Sequence, residues 1–272
     1  MATNRMATIA VETHALARPT VAKPSVTNGV QEIPVGWSVV SDRFAVAFGA
    51  PERLVPSKDQ STRKKGFLSC PAVRQFTEGV FQVTAPFSLR LRVVESEGGR
   101  AVVPVYPFTS LTESLVRQFV QVEPQDSWRS PNIAVVQIPS PYVFFADQPV
   151  HIEQTGPCLS AQSRFNWRVI PGRFDIYAWQ RPLNWAFEWD ISCGDFEVRV
   201  GEPLYNVKFI SDMVPNGSYK IRLIRQGLTD ALKKRMDLTR DVASIRRGTS
   251  KLFGDAEALR AGENLLSGPF SE

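Results

Sequence analysis

The stretch RPLNWAFEWD, from Arg181 to Asp190, places three large rings at every second position. Successive side chains of a β-strand point to opposite faces, so Trp185, Phe187 and Trp189 would share one face of a strand. Each such ring buries about 150–250 Å², and soluble proteins seldom leave a row of rings open to water. The stretch therefore predicts a strand with its rings in a protein core.

Most of the chain between residues 32 and 226 has the same character. Short runs rich in Val, Ile, Phe, Tyr and Trp are separated by many of the 20 prolines, a pattern typical of antiparallel sheets. The segments after Asp190 are expected to be successive antiparallel strands, with a bulge or an edge at Gly201–Pro203 and a tight turn at Pro215–Gly217. The predicted fold class is mainly β: an antiparallel β-sandwich, jelly-roll-like.

Composition divides the chain into three parts. Residues 1–31 have few aromatics and no clear period, which predicts a flexible N-terminal arm, although a transit peptide would look similar. Residues 32–226 would form the β-sandwich domain. Residues 227–272 would form a basic C-terminal helical extension with Thr229 as its N-cap, followed by a second short helix from about Asp255 and a tail from Leu265. The stretch from Ser110 to Val122 fits either a helical turn or a strand.

The positive charge is concentrated near the C-terminus. Between Lys220 and Lys251 ten Lys and Arg face three Asp, which gives +7, so the rest of the chain carries −2 of the net +5. A helix that buries its apolar side would turn its basic residues outward, where they could bind DNA or RNA weakly and without sequence preference. These residues are Lys233, Lys234, Arg240, Arg246, Arg247 and Lys251. A solvated helix face, or docking on the acidic domain of another copy, would explain the same charge.

Common catalytic patterns are missing from the sequence. It has no G-x-S-x-G elbow, phosphate-binding glycine loop or paired CxxC, which excludes the corresponding hydrolase, nucleotide-binding and zinc-ribbon classes. Three widely spaced cysteines argue against a disulfide framework and favour a reducing compartment. Cys70, next to Pro71, is a candidate nucleophile, although a lone cysteine is more often a small buried hydrophobe.

Three further residue pairs are candidates for chemistry or binding. His151 and Glu153 resemble half of an iron-binding facial triad, but the second imidazole would have to come from His14, the only other histidine. Iron is therefore an alternative, and the main expectation is no cofactor. Two further pairs complete the set: the carboxylates Glu188 and Asp190, about 7 Å apart by strand rise, and the polar-flanked rings Trp167 and Trp179, which could stack on a ligand.

Several segments resemble an uncharacterised β-rich protein family of marine phages, chiefly cyanophages, and related bacteria. They are CPAVRQF with APFSLRLRV (70–93), PSPYVFFADQPVHIEQ (139–154), IPGRFDIYAWQRPLNWAFEW (170–189) and VGEPLYNVKF (200–209). The resemblance covers about residues 65 to 225. It implies a phage-like origin and a single β domain, and it brings no catalytic residues.

These observations favour a non-enzymatic binding or assembly protein, phage-associated, in the host cytoplasm or the virion. Its expected partners are other copies of itself, other virion proteins and, weakly, nucleic acid. No run approaches the roughly 18 apolar residues of a membrane span, so no membrane partner is expected. The alternative is an enzyme resembling non-haem iron oxygenases, with an irregular metal site.

Overall fold

The structure is a computed structural model that describes residues 26–27, 30–40, 47–54, 70–97, 99–158, 165–214, 219–240 and 264–266. Within these residues there are fifteen strands and three α-helices. The strands are β1 Val26–Thr27, β2 Val30–Val39, β3 Glu52–Arg53, β4 Val80–Thr84, β5 Leu89–Ser96, β6 Gly99–Pro104, β7 Gln121–Val122, β8 Ile133–Phe145, β9 Val150–Thr155, β10 Trp167–Val169, β11 Gly172–Asp175, β12 Pro182–Asp190, β13 Phe196–Val198, β14 Pro203–Ser211 and β15 Tyr219–Arg225. The helices are α1 Pro71–Thr77, α2 Glu113–Phe119 and α3 Asp230–Arg240.

The strands form three sheets. A seven-stranded sheet has the order β1-β2-β8-β12-β10, with β15 also paired to β2 and β7 to β8. A five-stranded sheet has the order β11-β9-β14-β4-β3, and a three-stranded sheet has the order β13-β5-β6. The mainly β fold with antiparallel sheets is therefore confirmed, as is the C-terminal helix.

Two layers enclose the main core. The seven-stranded sheet forms one layer, and the other two sheets face it. Across the interface the Phe144 and Phe209 rings lie 5.3 Å apart, and the Phe187 and Phe196 rings stack at 4.7 Å. Trp185, Phe187 and Trp189 are each at most 1% exposed, so the rings of the opening stretch are core residues as predicted.

The chain crosses between the two smaller sheets twice, at neighbouring places. The Ala85 N–H donates to the Glu202 carbonyl at 2.8 Å, and the Gly201 N–H donates to the Ala85 carbonyl at 2.8 Å. Gly201 has a φ of +81°, which a side chain would disfavour. The register of β14 then shifts between Pro203 and Tyr205, so the irregularity predicted at Gly201–Pro203 is confirmed.

The strands predicted from Pro182 to Arg225 are present, but they do not pair with one another, and β15 is parallel to its partner instead of antiparallel. β12 pairs with β8 and β10, β13 with β5, and β14 with β4 and β9. β15 pairs with β2 in parallel, from Tyr219 opposite Gln31 to Arg225 opposite Trp37. Side-chain alternation specifies which face of a strand is buried, but it does not specify the partner strand, and closing two layers requires distant partners.

The stretch from Ser110 to Val122, predicted to be either a helical turn or a strand, contains both a helix and a strand. Thr112 caps α2, since its hydroxyl accepts a hydrogen bond from the Leu115 N–H. The helix ends at Phe119, and β7 follows directly and pairs with β8. The local pattern was ambiguous because the segment changes its structure midway.

The sheet begins earlier in the chain than expected. β2 starts at Val30 and β1 pairs Val26 and Thr27 with it, so residues assigned to the flexible arm belong to the sheet. Residues 1–25 lie outside the described part of the chain, as does the whole predicted turn Pro215–Gly217.

The C-terminal helix begins as predicted. The Leu232 N–H donates to the Thr229 hydroxyl at 3.2 Å, and the Thr229 carbonyl accepts from the Lys233 N–H, which confirms the N-cap. The second short helix expected from Asp255 lies outside the described residues. The prediction of a tail from Leu265 is wrong at this residue. Its side chain is 1% exposed and packs against the sheet. None of the described helices is long and apolar enough to cross a membrane.

Candidate anion-binding site

A basic cleft lies where the five-stranded sheet meets the edge of the seven-stranded sheet. Its volume is about 170 Å³. Arg53 of β3, Lys208 of β14 and Lys220 of β15 line it together with Glu78, which follows α1. We call this the basic cleft. Three cationic residues, on three different strands, therefore line one small cleft together with one acidic residue.

Arg53 joins the two layers at this point. One guanidinium nitrogen (Nη2) donates to the Ile221 carbonyl of β15 at 3.3 Å, and the guanidinium lies 5.7 Å from the centre of the Phe81 ring. β3 is an edge strand in which Arg53 lies opposite Phe81 of β4. The ring and the carbonyl orient the guanidinium without neutralising its charge.

Lys208 and Tyr219 form another part of the cleft wall. The Lys208 ammonium donates to the Phe76 carbonyl at 3.3 Å and lies 5.5 Å from the centre of the Phe76 ring. The Tyr219 hydroxyl donates to the Phe209 carbonyl at 3.2 Å and accepts from the Ser211 N–H at 3.1 Å. The hydroxyl thus fixes the start of β15 beside β14, which positions the next residue, Lys220.

In its charge balance the basic cleft differs from those parts of the described surface where arginines form ion pairs. Among the described residues, Arg53, Lys208 and Lys220 form no ion pair with a carboxylate. Elsewhere arginines pair with acids at short distance, as Arg90 does with Glu197 at 2.6 Å. The cleft therefore leaves positive charge available to an external anion.

Two larger clefts are less suited to an anion. One, of about 500 Å³, contains Arg100 and Arg129, which pair with Glu95 and Glu188 respectively. The other, of about 400 Å³, is lined by Asp195, Glu197, Arg199 and Glu202. Its arginine already binds Glu197 at 2.8 Å. In both clefts the charged groups are satisfied within the chain.

The basic helix residues are only partly described. Lys233 and Lys234 are exposed on α3, and the Lys233 ammonium lies 3.2 Å from Asp230. The side chain of Arg240 lies outside the described part, as do Arg246, Arg247 and Lys251. The prediction that these residues bind polyanions stays a prediction.

The expectation that Trp167 offers an open stacking face is corrected. The side chain is 4% exposed, and its ring lies 5.5 Å from Trp185. Trp167 sits directly opposite Trp189 in the ladder between β10 and β12, so it shares the buried face of that strand. Polar neighbours on the other face concealed this burial.

Trp179 is half-buried rather than open. The Arg181 guanidinium lies 4.9 Å from the centre of its ring, and Phe174 meets it edge-on at 5.8 Å. These contacts within the chain use surface that a ligand would need for stacking.

His151 and Glu153 lie on β9, where His151 is half-buried as expected. The His151 Nδ1 is 3.1 Å from an Asp212 carboxylate oxygen, and Arg173 lies 3.5 Å from Glu153 and 3.8 Å from Asp212. A guanidinium thus sits beside the carboxylates that a metal would need. Among the described residues no group of three or more His, Cys, Asp or Glu is arranged to hold a metal ion, and His14 lies outside them.

The remaining catalytic candidates are the carboxylates Glu188 and Asp190 and the thiol of Cys70. Glu188 pairs with Arg129 at 2.8 Å. Hydrogen bonds from Ser192 hold the pKa of Asp190 below its usual range, whereas a glycosidase acid needs a raised pKa. Cys70 is exposed at the start of α1.

Acid titration should reveal the contribution of one surface ion pair. Arg92 binds both carboxylate oxygens of Asp195, at 2.7 and 2.9 Å, and these bonds hold the pKa of Asp195 below its usual range. The pair therefore stabilises the fold above the unfolded-state pKa, about 3.9, and that stability is lost as the pH falls through the lower folded value. We expect Arg92→Gln to lower the melting temperature slightly at neutral pH and hardly at all at strongly acid pH.

The matched control is Arg117→Gln, which removes the same charge from the exposed helix α2. Its effect should be smaller because exposed i,i+4 pairs contribute little. An Arg92→Gln deficit that persists undiminished in strong acid would contradict this assignment.

Sequence reasoning missed two of the three cleft cations. Lys220 falls in the basic segment between Lys220 and Lys251, but Arg53 directly follows the acidic Glu52 and Lys208 is a single charge between apolar residues. Alternation within LYNVKF does predict that Lys208 points away from the core. Only the packing of strands that are distant in the sequence places the three residues along one cleft.

Comparison of the chain with protein-family models, with curated protein sequences and with solved structures finds no match in any of the three.

Proposed function

We propose that this chain is a non-enzymatic binding protein that holds a nucleic acid by its phosphates at the basic cleft. The observation that carries the proposal is that Arg53, Lys208 and Lys220 line one cleft and that none of them forms an ion pair with a carboxylate among the described residues. Cations of this kind release counterions from a polyanion on binding, which drives association.

The size of the cleft favours a ligand that lies across it. Pockets that enclose a small organic ligand have volumes of about 300–1,000 Å³, whereas the basic cleft has about 170 Å³. A phosphate group of a linear polymer fits such a space better than a whole ligand does. Contacts of this type position a nucleic acid but do not read its sequence.

The phage association suggested by the sequence resemblance belongs to the same proposal. A phage-encoded binding protein would meet nucleic acid in the host cell or during virion assembly. Genes for structural phage proteins beside the gene for this chain would support the association, and metabolic neighbours would count against it.

The binding test is fluorescence anisotropy with a labelled single-stranded oligonucleotide at several salt concentrations. The triple variant Arg53→Gln, Lys208→Gln, Lys220→Gln should bind more weakly at low salt. Each lost phosphate contact lowers the slope of log K against log salt by about 0.7 for single strands, so we expect a slope smaller by about 2. Oligonucleotides of different sequence should behave alike.

Two control variants separate the cleft from general charge loss. Lys233→Gln with Lys234→Gln tests the helix, and Arg168→Gln removes an exposed cation from β10, at the far edge of the seven-stranded sheet. Unchanged binding in the cleft variant, with loss in the helix variant, would move the site to α3. Absence of binding by the wild-type chain at low salt would overturn the proposal. Melting curves of each variant establish that it is folded.

A further inference from the structure

A second apolar cluster lies on the opposite side of the seven-stranded sheet from the main core. It contains Val143, Phe145, Leu232 and Leu265, none more than 1% exposed. Side chains alternate along β8, so Tyr142 and its even-numbered neighbours face the main core while Val143 and Phe145 face away from it. Helix α3 and the segment 264–266 cover this outer face.

The backbone of that segment is held by hydrogen bonds from two side chains. The Asp147 carboxylate accepts the N–H of Leu265 at 2.7 Å and the N–H of Leu266 at 2.9 Å. The Gln226 side-chain amide donates to the Leu265 carbonyl at 2.7 Å. Bonds to an ionised acceptor are stronger than neutral ones, so three bonds fix one dipeptide in place.

The two leucine side chains of the segment fit closely against the residues around them. Leu265 enters the apolar cluster, and Leu266 lies over Gly36, where an added Cβ would come within 2.8 Å of its side chain. We call the site the C-terminal socket, and it is made of Gly36, Val143, Phe145, Asp147, Gln226 and Leu232. It holds this segment through the segment's backbone and one buried leucine.

We propose that the C-terminal socket is a peptide-binding site that also accepts residues 264–266 from a second copy of this chain. The socket contacts the segment through the segment's own backbone and leucines, so an identical segment from a neighbour makes the same contacts. Exchange of an identical element is a low-cost route to oligomers for that reason.

The chain length between the helix and the segment permits such an exchange. Residues 241 to 263 connect α3 to the segment, which is 23 residues. Fully extended, they would reach at most about 80 Å, far enough to enter the socket of an adjacent copy. The proposal is independent of anion binding, because the socket shares no residue with the basic cleft.

The test uses two full-length variants that are each defective in one half of the contact. Leu265→Asp spoils the segment and keeps the socket, whereas Asp147→Asn spoils the socket and keeps the segment. We expect wild-type chain to associate with rising concentration in sedimentation and each variant alone to remain monomeric. An equimolar mixture of the two should form a heterodimer in native mass spectrometry. A wild-type chain and a mixture that are both monomeric throughout would overturn the exchange.

A labelled peptide with the sequence of residues 262–268, GENLLSG, tests recognition in trans directly. It should bind the Leu265→Asp and Leu265→Ala variants, whose sockets are vacated. The double variant Leu265→Asp, Asp147→Asn should reduce binding of GENLLSG by about tenfold or more, the effect of losing a bond to a charged group. The peptide GENDLSG should also bind at least about tenfold more weakly, because it would place a carboxylate in the apolar cluster. Failure of both vacated variants to bind GENLLSG would overturn the peptide site. The cleft triple variant should associate like the wild type, so the two proposals can fail separately.

Discussion

Trp185→Ala is expected to lower the free energy of unfolding by about 3–5 kcal/mol, the usual cost of truncating a buried large aromatic side chain. Trp185 is 1% exposed, and its ring lies 4.8 Å from Phe187 and 5.5 Å from Trp167. Removal of the ring would leave a cavity between the two layers that rigid sheets cannot close. Denaturant unfolding followed by circular dichroism measures the loss, and poor solubility of the variant would accompany it.

Two companion variants make this result specific. Trp185→Phe should cost less than Trp185→Ala, because it keeps a ring and removes an indole N–H that has no acceptor among the described residues. Asn184→Ala, on the other face of β12, loses one hydrogen bond to Gln137 and should cost about 1 kcal/mol. Normal unfolding of Trp185→Ala would refute the placement of this ring in the core.

Gly36→Ala should cost about 1–3 kcal/mol or more, since it overpacks a filled site. A Cβ at this position would lie 2.2 Å from the nearest atom of the Phe145 ring, which is fully buried and cannot move aside. The methyl group would also press on Leu266 and so loosen the C-terminal segment. Thermal unfolding measures the loss of stability.

A double-mutant cycle identifies the clash. Phe145→Leu should cost less in the Gly36→Ala background than in the wild-type chain, because the smaller side chain makes room for the methyl group. Gly172→Ala is the control, since nothing lies within 4 Å of a Cβ built there. It should leave stability unchanged or slightly raised. Additive effects of the two substitutions in the cycle would show that the clash is absent.

The sequence is informative where burial alone decides the outcome. The rings of β12 follow from strict alternation, and the N-cap at Thr229 follows from a local hydrogen bond. Strand pairing depends on contacts between distant residues, so the parallel partner of β15 could not be deduced from a local pattern. Trp167 was misjudged for a related reason, because its burial comes from the cross-strand partner Trp189 and not from its own flanks.

The candidate sites were less accessible to sequence reasoning than the fold. The excess of positive charge between Lys220 and Lys251 predicts a basic surface in that part of the chain. The basic cleft also needs Arg53 and Lys208, which belong to strands far apart in the chain. Leu265 stood in a short polar-flanked segment that has the composition of a tail. Its burial depends on the second apolar face of β8, where burial is continuous from Ser140 to Ala146 instead of alternating.

The parallel pairing of β15 with β2 has a consequence for how the chain folds during synthesis. Tyr219 pairs with Gln31, residues separated by 188 positions (219 minus 31), and such non-local contacts slow folding. β2 emerges from the ribosome early and must wait for most of the chain before this neighbour exists. Until then one edge of β2 offers unpaired backbone groups to other nascent chains. This pairing is therefore one of the last parts of the sheet that can form as the chain is synthesised.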